Sequence, residues 1–125
     1  MIEVRHLTKK YGPNTAVDDI SFTVEKGRIY GFLGPNGAGK STTMNIICGC
    51  LAATDGEVIV DGHDIYEEPL EARKRIGYLP EIPPLYNDMT PKEYLSFVGR
   101  AKKIPSAKLS EAVGNVMTKT ALHGV

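Results

Sequence analysis

The sequence has no tryptophan, only two cysteines and no net charge. Its 15 basic and 15 acidic residues balance, which argues against a nucleic-acid partner because DNA-binding domains usually carry a marked basic excess. No apolar run approaches the roughly 20 residues that span a bilayer, and the N-terminal stretch MIEVRHLTKK lacks the apolar core of a signal peptide. At 125 residues, the chain is therefore expected to be one domain at most and to be cytosolic.

The two cysteines, Cys48 and Cys50, lie two positions apart in a predicted helix. Side chains two apart on a helix point about 200° away from each other, so neither a disulfide nor a shared metal ion is expected. The sequence predicts two reduced thiols, with Cys48 in the core.

Apolar patterning predicts a sheet. Residues 2–7 and 16–25 alternate in hydrophobicity, as half-buried antiparallel strands do. Residues 28–34 (RIYGFLG) are apolar on both faces, which predicts a strand buried in the middle of the sheet. The stretch EVIVDGHDI predicts a hairpin that turns on Asp61-Gly62, and IGYLPE predicts a further apolar strand ending at Pro80.

Helical periodicity appears in four places. Residues 69–75 predict a short helix, and a longer one begins at Thr90, which forms a capping box with Glu93. A further helix is predicted from near Ser106. The helix after the glycine-rich stretch is expected to bury one stripe at i, i+3, i+4 and i+7, made of Met44, Ile47, Cys48 and Leu51.

That glycine-rich stretch, GPNGAGKSTT, matches the P-loop pattern G-x-x-x-x-G-K-[ST] at Gly34, Gly39, Lys40 and Ser41. A predicted strand precedes it and an amphipathic helix follows, which is the context that this motif requires. Glycines let phosphate oxygens approach the main chain, whose N–H groups form an anion-binding nest. The N-terminus of the helix directs further N–H groups and a positive dipole end at the same place.

The motif therefore predicts a site for a nucleoside triphosphate. Lys40 is expected to be the catalytic residue, because its positive charge can reach the β and γ phosphates. The Ser41 hydroxyl is expected to ligate Mg²⁺, and Thr42 to bind on the side of the α-phosphate. The complete predicted cradle is Gly34, Pro35, Asn36, Gly37, Ala38, Gly39, Lys40, Ser41 and Thr42.

Together with the preceding stretch YGPNTAVDDISFTVEKGRIYGFLG, this loop resembles the nucleotide-binding domain of ABC transporters. The hairpin TDGEVIVDGHDI and the stretch RIGYLPE follow in the order found in that family. The resemblance covers essentially the whole chain. The stretch YLPE…PPLY is similar to the corresponding stretch in the exporter branch of the family, the ABC-2 type and its gliding-motility relatives.

The resemblance implies three further site residues. Tyr11 matches the aromatic residue that stacks on adenine, and Val17 matches the residue that lies against the ribose. Glu81 stands where the family commonly has a glutamine that contacts Mg²⁺. A glutamate keeps an oxygen ligand there, but it adds a negative charge and loses the amide donors.

Two motifs that the family uses for ATP hydrolysis are missing from the sequence. LSEAVG, starting at Leu109, shares only two letters with the L-S-G-G-Q signature, and EVIVDG has Gly62 where the second acidic motif needs a catalytic glutamate. His6, His63 and His123 do not match the position of the family's histidine. The chain therefore looks like the N-terminal half of a longer subunit, with unpaired strand edges and negligible turnover of its own.

The expected fold is an α/β P-loop NTPase of the ABC ATPase type, with an antiparallel β subdomain, an incomplete core sheet and the start of a helical subdomain. Residues 1–88 are expected to form the core and residues 89–125 the start of the helical part. The expected function is the ATP-binding subunit of an ABC exporter, with ATP and Mg²⁺ as cofactors. It would act at the inner face of the cell membrane with a transmembrane permease and a second ATP-binding subunit.

Two other hypotheses are compatible with the same loop. One is a soluble ABC-type ATPase that acts on ribosomes or DNA, and the other is a regulatory or vestigial fragment that pairs with an intact subunit. A small-molecule kinase is disfavoured, because 33 residues precede the loop. The transported substrate is not encoded in this part of such a protein.

Overall fold

Two long antiparallel strands begin the chain, β1 (Ile2–Tyr11) and β2 (Asn14–Val24). In their register Val4 lies opposite Phe22 and Leu7 lies opposite Ile20. Val4 and Leu7 are three residues apart, so strict alternation would put them on opposite faces of the strand. The register shift between them gives β1 one extra residue relative to β2, and both side chains are buried in the core. The prediction of two antiparallel strands is confirmed, and both are longer than expected.

The hairpin β3 (Asp55–Val60) and β4 (His63–Asp64) completes a four-stranded sheet of order β2-β1-β3-β4. Its turn has positive φ at both central residues, 47° at Asp61 and 84° at Gly62. A two-residue turn of type I′ requires this conformation, and an Asp-Gly pair tolerates it best. The predicted hairpin is confirmed.

Helices α1 (Lys40–Ile47) and α2 (Pro69–Lys74) accompany this sheet. The apolar core gathers side chains from β1, β2, β3, α1 and α2 and from the segment that joins β4 to α2. Burial of such a cluster is the main stabilising term in folding. The buried members are Val4, Leu7, Val17, Ile46, Ile47, Val58, Val60, Ile65 and Ala72.

The predicted stripe of α1 was partly wrong. The helix ends at Ile47, after eight residues, with Cys48 as its C-cap, so the periodic pattern cannot continue to Leu51. The buried face is Thr43, Ile46 and Ile47, again at i, i+3 and i+4 but displaced from the expected one. Met44 is 41% exposed, and Cys48 is half-buried instead of belonging to the core.

The two strands predicted at 28–34 and 76–80 do not form. Neither segment pairs with a strand within the part of the chain that the structure describes, residues 1–122. A β-strand is stable only when a neighbour accepts and donates its backbone hydrogen bonds, and hydrophobicity alone does not supply that neighbour. Ile29 and Leu33 are consequently almost fully exposed, while Phe32 contacts Phe22 with ring centroids 5.6 Å apart.

This computed structural model divides the chain into two compact units, Met1–Tyr78 and Leu79–Val125. The second unit holds α3 (Pro91–Ala101) and α4 (Ser106–Lys119). Both predicted helices are confirmed, and the capping box of Thr90 and Glu93 is present in full. The sequence predicts a different division, with a nucleotide-binding core at residues 1–88 and the start of a helical part at 89–125. That division stays a prediction.

The two helices of the second unit approach closely at Gly99, which is buried in α3. A Cβ atom there would lie 2.5 Å from Leu109 Cδ1. Tyr86, Tyr94 and Phe97 form an aromatic cluster beside α3, with Tyr86 and Phe97 edge to face at 5.6 Å. Within residues 1–122, no helix has the length and apolar character needed to cross a bilayer.

Candidate functional site

Residues 34–39 form a compact loop, because turns and positive φ angles fold the main chain back on itself. The Ala38 N–H donates to the Pro35 carbonyl at 3.2 Å. Gly37 and Gly39 both have φ of 85°, a left-handed conformation that costs glycine little. The loop therefore has the folded main chain on which the predicted phosphate cradle depends.

The N-terminus of α1 presents its first N–H groups next to this loop. Gly39 is the N-cap, and no side chain caps the helix. The first N–H groups of any helix lack partners inside the helix, and an uncapped end leaves them available to an anion. The helix proper begins where the Thr43 N–H donates to the Gly39 carbonyl at 2.9 Å.

The ammonium group of Lys40 folds back over the loop. Nζ donates to the carbonyls of Gly34 at 2.5 Å and Pro35 at 2.6 Å, and the side chain is half-buried. A positive charge, uncapped amides and glycine-rich main chain are thus brought together by one short segment. This donor set suits a polyphosphate, whose oxygens only accept hydrogen bonds.

The hydroxyl groups after Lys40 differ in their surroundings. Ser41 is exposed and Thr42 is half-buried, so both lie at the accessible start of α1. Thr43, which the sequence analysis did not single out, is 1% exposed, and its hydroxyl donates to the Gly39 carbonyl at 2.9 Å. Thr43 therefore fixes the helix start, whereas the oxygen of Ser41 remains accessible to a cation.

Close packing against β2 fixes the position of the loop. A Cβ atom on Gly39 would lie 2.3 Å from the Ala16 carbonyl oxygen and 3.2 Å from Val17 Cγ2. Only glycine fits so near to a neighbouring main chain. Val17 is itself 5% exposed and belongs to the core, so the structure places it beneath the loop. Its contact with a ribose stays a prediction.

Tyr11 lies at the end of β1 and is 49% exposed. Lys9 lies opposite Val17 in the strand register, so this end of β1 is next to the strand on which the loop rests. The ammonium group of Lys9 is 5.0 Å from the centroid of the Tyr11 ring. Lys9 was not among the predicted site residues, although its spacing of two residues from Tyr11 places both on one face of a strand.

Glu81 lies exposed in the loop before α3, in the second unit. Its role as a magnesium ligand stays a prediction. In the first unit, the Tyr78 hydroxyl donates to Asn45 Oδ1 on α1 at 3.1 Å. This bond ties Tyr78, near the end of the first unit, to α1, the helix that carries Lys40.

The C-terminal end of α1 is stabilised by Arg73 from α2, whose Nη2 donates to the Gly49 carbonyl at 2.7 Å. A cation at this end of a helix complements its dipole. Cys48 and Cys50, next to this contact, are both free thiols. Burial raises the pKa of the Cys48 thiol, and the neighbouring Cys50 raises it further.

The motifs rejected as catalytic have structural roles. Leu109 and the residues after it lie in α4, a continuous helix, and Asp61 forms the hairpin turn. His6 is paired with Asp19 at 2.8 Å and His63 with Glu68 at 3.1 Å. His123 lies outside the described residues.

Comparison with known proteins places this geometry in one family. The family described as "ABC transporter" matches residues 17–124. The Escherichia coli K12 protein named "Probable multidrug ABC transporter ATP-binding protein YbhF" is 41% identical over 91% of this chain and 21% of its own length. The Bacillus licheniformis "Bacitracin transport ATP-binding protein BcrA" is 36% identical over 91% of the chain and 39% of its length.

Solved structures agree in fold. "Structure of ATP binding subunit of ABC transporter" superposes with a TM-score of 0.77 and 31% identity, over 86% of this chain and 45% of that one. The dimeric bacterial cassette MJ0796 gives a TM-score of 0.71 and 28% identity, over 82% of this chain and 48% of its own. These matches confirm the predicted P-loop ABC ATPase fold. The chain spans well under half the length of the curated relatives.

Proposed function

This chain belongs to the ABC transporter family, and on that premise we propose that it is the ATP-binding part of a transport ATPase subunit. The observation that carries the proposal is the loop at 34–39, where Lys40 closes a glycine-rich main chain beside the uncapped start of α1. Such a segment binds the phosphates of a nucleotide with main-chain donors and one cation.

Each residue of the predicted cradle has a proposed task. The amides of residues 37–42 surround the phosphates, and Lys40 exchanges its carbonyl partners for phosphate oxygens. Thr42 binds on the side of the α-phosphate. Tyr11 stacks on the adenine at one end, with Val17 near the ribose.

A magnesium ion, when bound with ATP, neutralises charge on the phosphates and favours their transfer to water. We propose that the Ser41 hydroxyl holds it. Glu81 is the second proposed ligand, since hard cations prefer oxygen donors.

The whole protein is proposed to couple ATP binding and hydrolysis to export. The support is that relatives bear names such as "Bacitracin transport ATP-binding protein BcrA" and "Nod factor export ATP-binding protein I". Such a protein would work at the inner face of the cell membrane, with a transmembrane permease and a second ATP-binding subunit. The similar bacterial cassette MJ0796 has been solved as a dimer, which is consistent with such pairing.

Residues 1–125 by themselves are proposed to bind ATP–Mg²⁺ weakly and to hydrolyse it negligibly. The sequence contains neither an L-S-G-G-Q-like run nor four apolar residues followed by Asp-Glu. In this family those motifs supply the contact with the γ-phosphate and the group that polarises water. The chain should therefore bind ATP but hydrolyse it only negligibly.

A titration with a fluorescent ATP analogue tests the proposal. Lys40→Ala should weaken binding at least tenfold, because a charge-assisted contact with the phosphates is lost. Lys108→Ala is the matched control, since Lys108 is exposed on α4. Equal affinity of wild type and Lys40→Ala would refute the role of the loop, and turnover at the rate of an intact ABC ATPase would refute the proposed inactivity.

A further inference from the structure

The side chain of Lys9 makes two contacts, one of them with Tyr11, the proposed base-stacking residue. Its ammonium group lies 5.0 Å from the centroid of the Tyr11 ring. The same Nζ donates to the Ala52 carbonyl at 2.8 Å. Ala52 lies in the segment after α1, the helix that carries Lys40. Lys9 therefore links the Tyr11 ring to the main chain of that segment.

These contacts restrict how Tyr11 can be oriented. Tyr11 is 49% exposed at the end of a strand, where a tyrosine ring alone would sample several rotamers. A cation over one face of the ring is attracted by the negative potential of that face. Because Lys9 is held by the Ala52 carbonyl and is half-buried, the attraction orients the ring while Tyr11 remains 49% exposed.

We infer that Lys9 is a positioning residue, which orients Tyr11 so that its ring can stack on the base of the nucleotide. The inference rests on the proposed function, since it needs Tyr11 to contact the base. Lys9 acts through the ring and does not contact phosphate, for which Lys40 is the available cation. Stacking is tolerant of base identity, so the effect should be alike for ATP and GTP.

Calorimetric titration of the whole chain with ATP, GTP and inorganic triphosphate tests this inference. Triphosphate has the phosphates but no base. The variants are Lys9→Met, which keeps the stem without the charge, Lys9→Arg, which keeps the charge, Tyr11→Ala, and Lys9→Met combined with Tyr11→Ala. Lys10→Met is the matched control, because the Lys10 side chain is exposed and its contact with Thr54 is made by the main chain.

Lys9→Met is expected to weaken ATP and GTP about two- to fivefold and to leave triphosphate affinity unchanged. Lys9→Arg should restore nucleotide affinity. Tyr11→Ala should weaken nucleotides about five- to 150-fold, and Lys9→Met should add nothing in that background. Should Lys9→Met fail to fold, Lys9→Gln, which keeps a donor for the Ala52 carbonyl, should show the same selective loss.

Two results would overturn the inference while the proposed function stands. One is an unchanged ATP affinity in the Lys9 variants while Tyr11→Ala weakens ATP. The other is an equal loss of ATP and triphosphate affinity, which would make Lys9 a phosphate contact or a folding residue. A wild-type chain that binds neither ligand, or a Tyr11→Ala chain that binds ATP normally, would overturn the role proposed for the site or for Tyr11, and this inference with it.

Discussion

At the scale of single residues, the folded loop at 34–39 could be predicted from the sequence because its conformation is specified within one short segment, whereas phosphate binding there stays a proposal. Gly37, Gly39 and Lys40 are each needed for a local reason: a positive φ, a close approach and a charge. The contact of Lys9 with Tyr11 could not be predicted so readily. It depends on where the Ala52 carbonyl lies, and a residue 43 positions away is not visible in a local pattern.

Gly39→Ala should destabilise the chain more than Gly37→Ala does. Both residues have φ of 85°, so both substitutions incur about 1–2 kcal/mol of left-handed strain. At Gly39 the new Cβ would also meet the Ala16 carbonyl at 2.3 Å, whereas at Gly37 it meets nothing within 4 Å. Urea denaturation of both variants measures the difference, and equal losses of stability would mean that the loop is not seated on β2.

The two thiols should differ in reactivity. Burial and the neighbouring Cys50 raise the pKa of Cys48, so at pH 7–8 less of it is the reactive thiolate, whereas Cys50 is exposed. Mass spectrometry after a short exposure to iodoacetamide should find Cys50 alkylated first, with Cys48→Ser and Cys50→Ser chains as controls. Faster modification of Cys48 would contradict the burial described for it.

At the scale of elements, local signals predicted well and partner-dependent ones did not. The hairpin turn at Asp61-Gly62 and the capping box at Thr90 are specified by neighbouring residues, and both are present. Residues 28–34 and 76–80 were predicted to be strands because they are apolar. They do not form strands, since a strand also needs a neighbouring strand to pair with. Helix α1 is a similar case: the apolar pattern predicted the helix correctly, but it did not predict that the helix ends at Ile47.

Removing the capping box should destabilise α3. Thr90→Ala deletes the oxygen that accepts the Glu93 N–H and should cost about 1 kcal/mol. Ser96→Ala, inside the same helix, is the control and should cost little. Denaturant unfolding monitored by circular dichroism measures both changes, and a smaller effect at Thr90 than at Ser96 would show that the cap is not formed in solution.

The same cap should make stability depend on pH. The main-chain N–H and hydroxyl of Thr90 donate to the Glu93 carboxylate and lower its pKa. This contribution is complete above the pKa of an unfolded glutamate, about 4.3, and is lost as the pH falls through the lower folded value. The difference in unfolding free energy between wild type and Glu93→Gln should therefore shrink from pH 6 to pH 3, and a constant difference would exclude the linkage.

At the scale of the whole molecule, exposed apolar segments are the main departure from an ordinary globular surface. Ile29 and Leu33 are almost fully exposed in a segment that pairs with no strand in residues 1–122. Large exposed apolar patches and unpaired main chain favour association.

The chain should therefore associate as its concentration rises. Replacing both Ile29 and Leu33 by lysine should reduce association without loss of stability, because neither side chain is buried. Sedimentation velocity between about 5 and 200 µM, with Lys26→Ala as a neighbouring control, measures the effect. Association that persists unchanged in the double variant would place the contact elsewhere.

The main chain of residues 37–42, with Lys40, is proposed to capture a polyphosphate. The most direct measurement is a titration with ATP–Mg²⁺ followed by the amide signals of a ¹⁵N-labelled chain. The largest shifts should occur at the amides of Gly37 to Thr42, inorganic triphosphate should reproduce them, and Lys40→Ala should require much higher concentrations. Shifts confined to other residues, or none in this segment at saturation, would contradict the account.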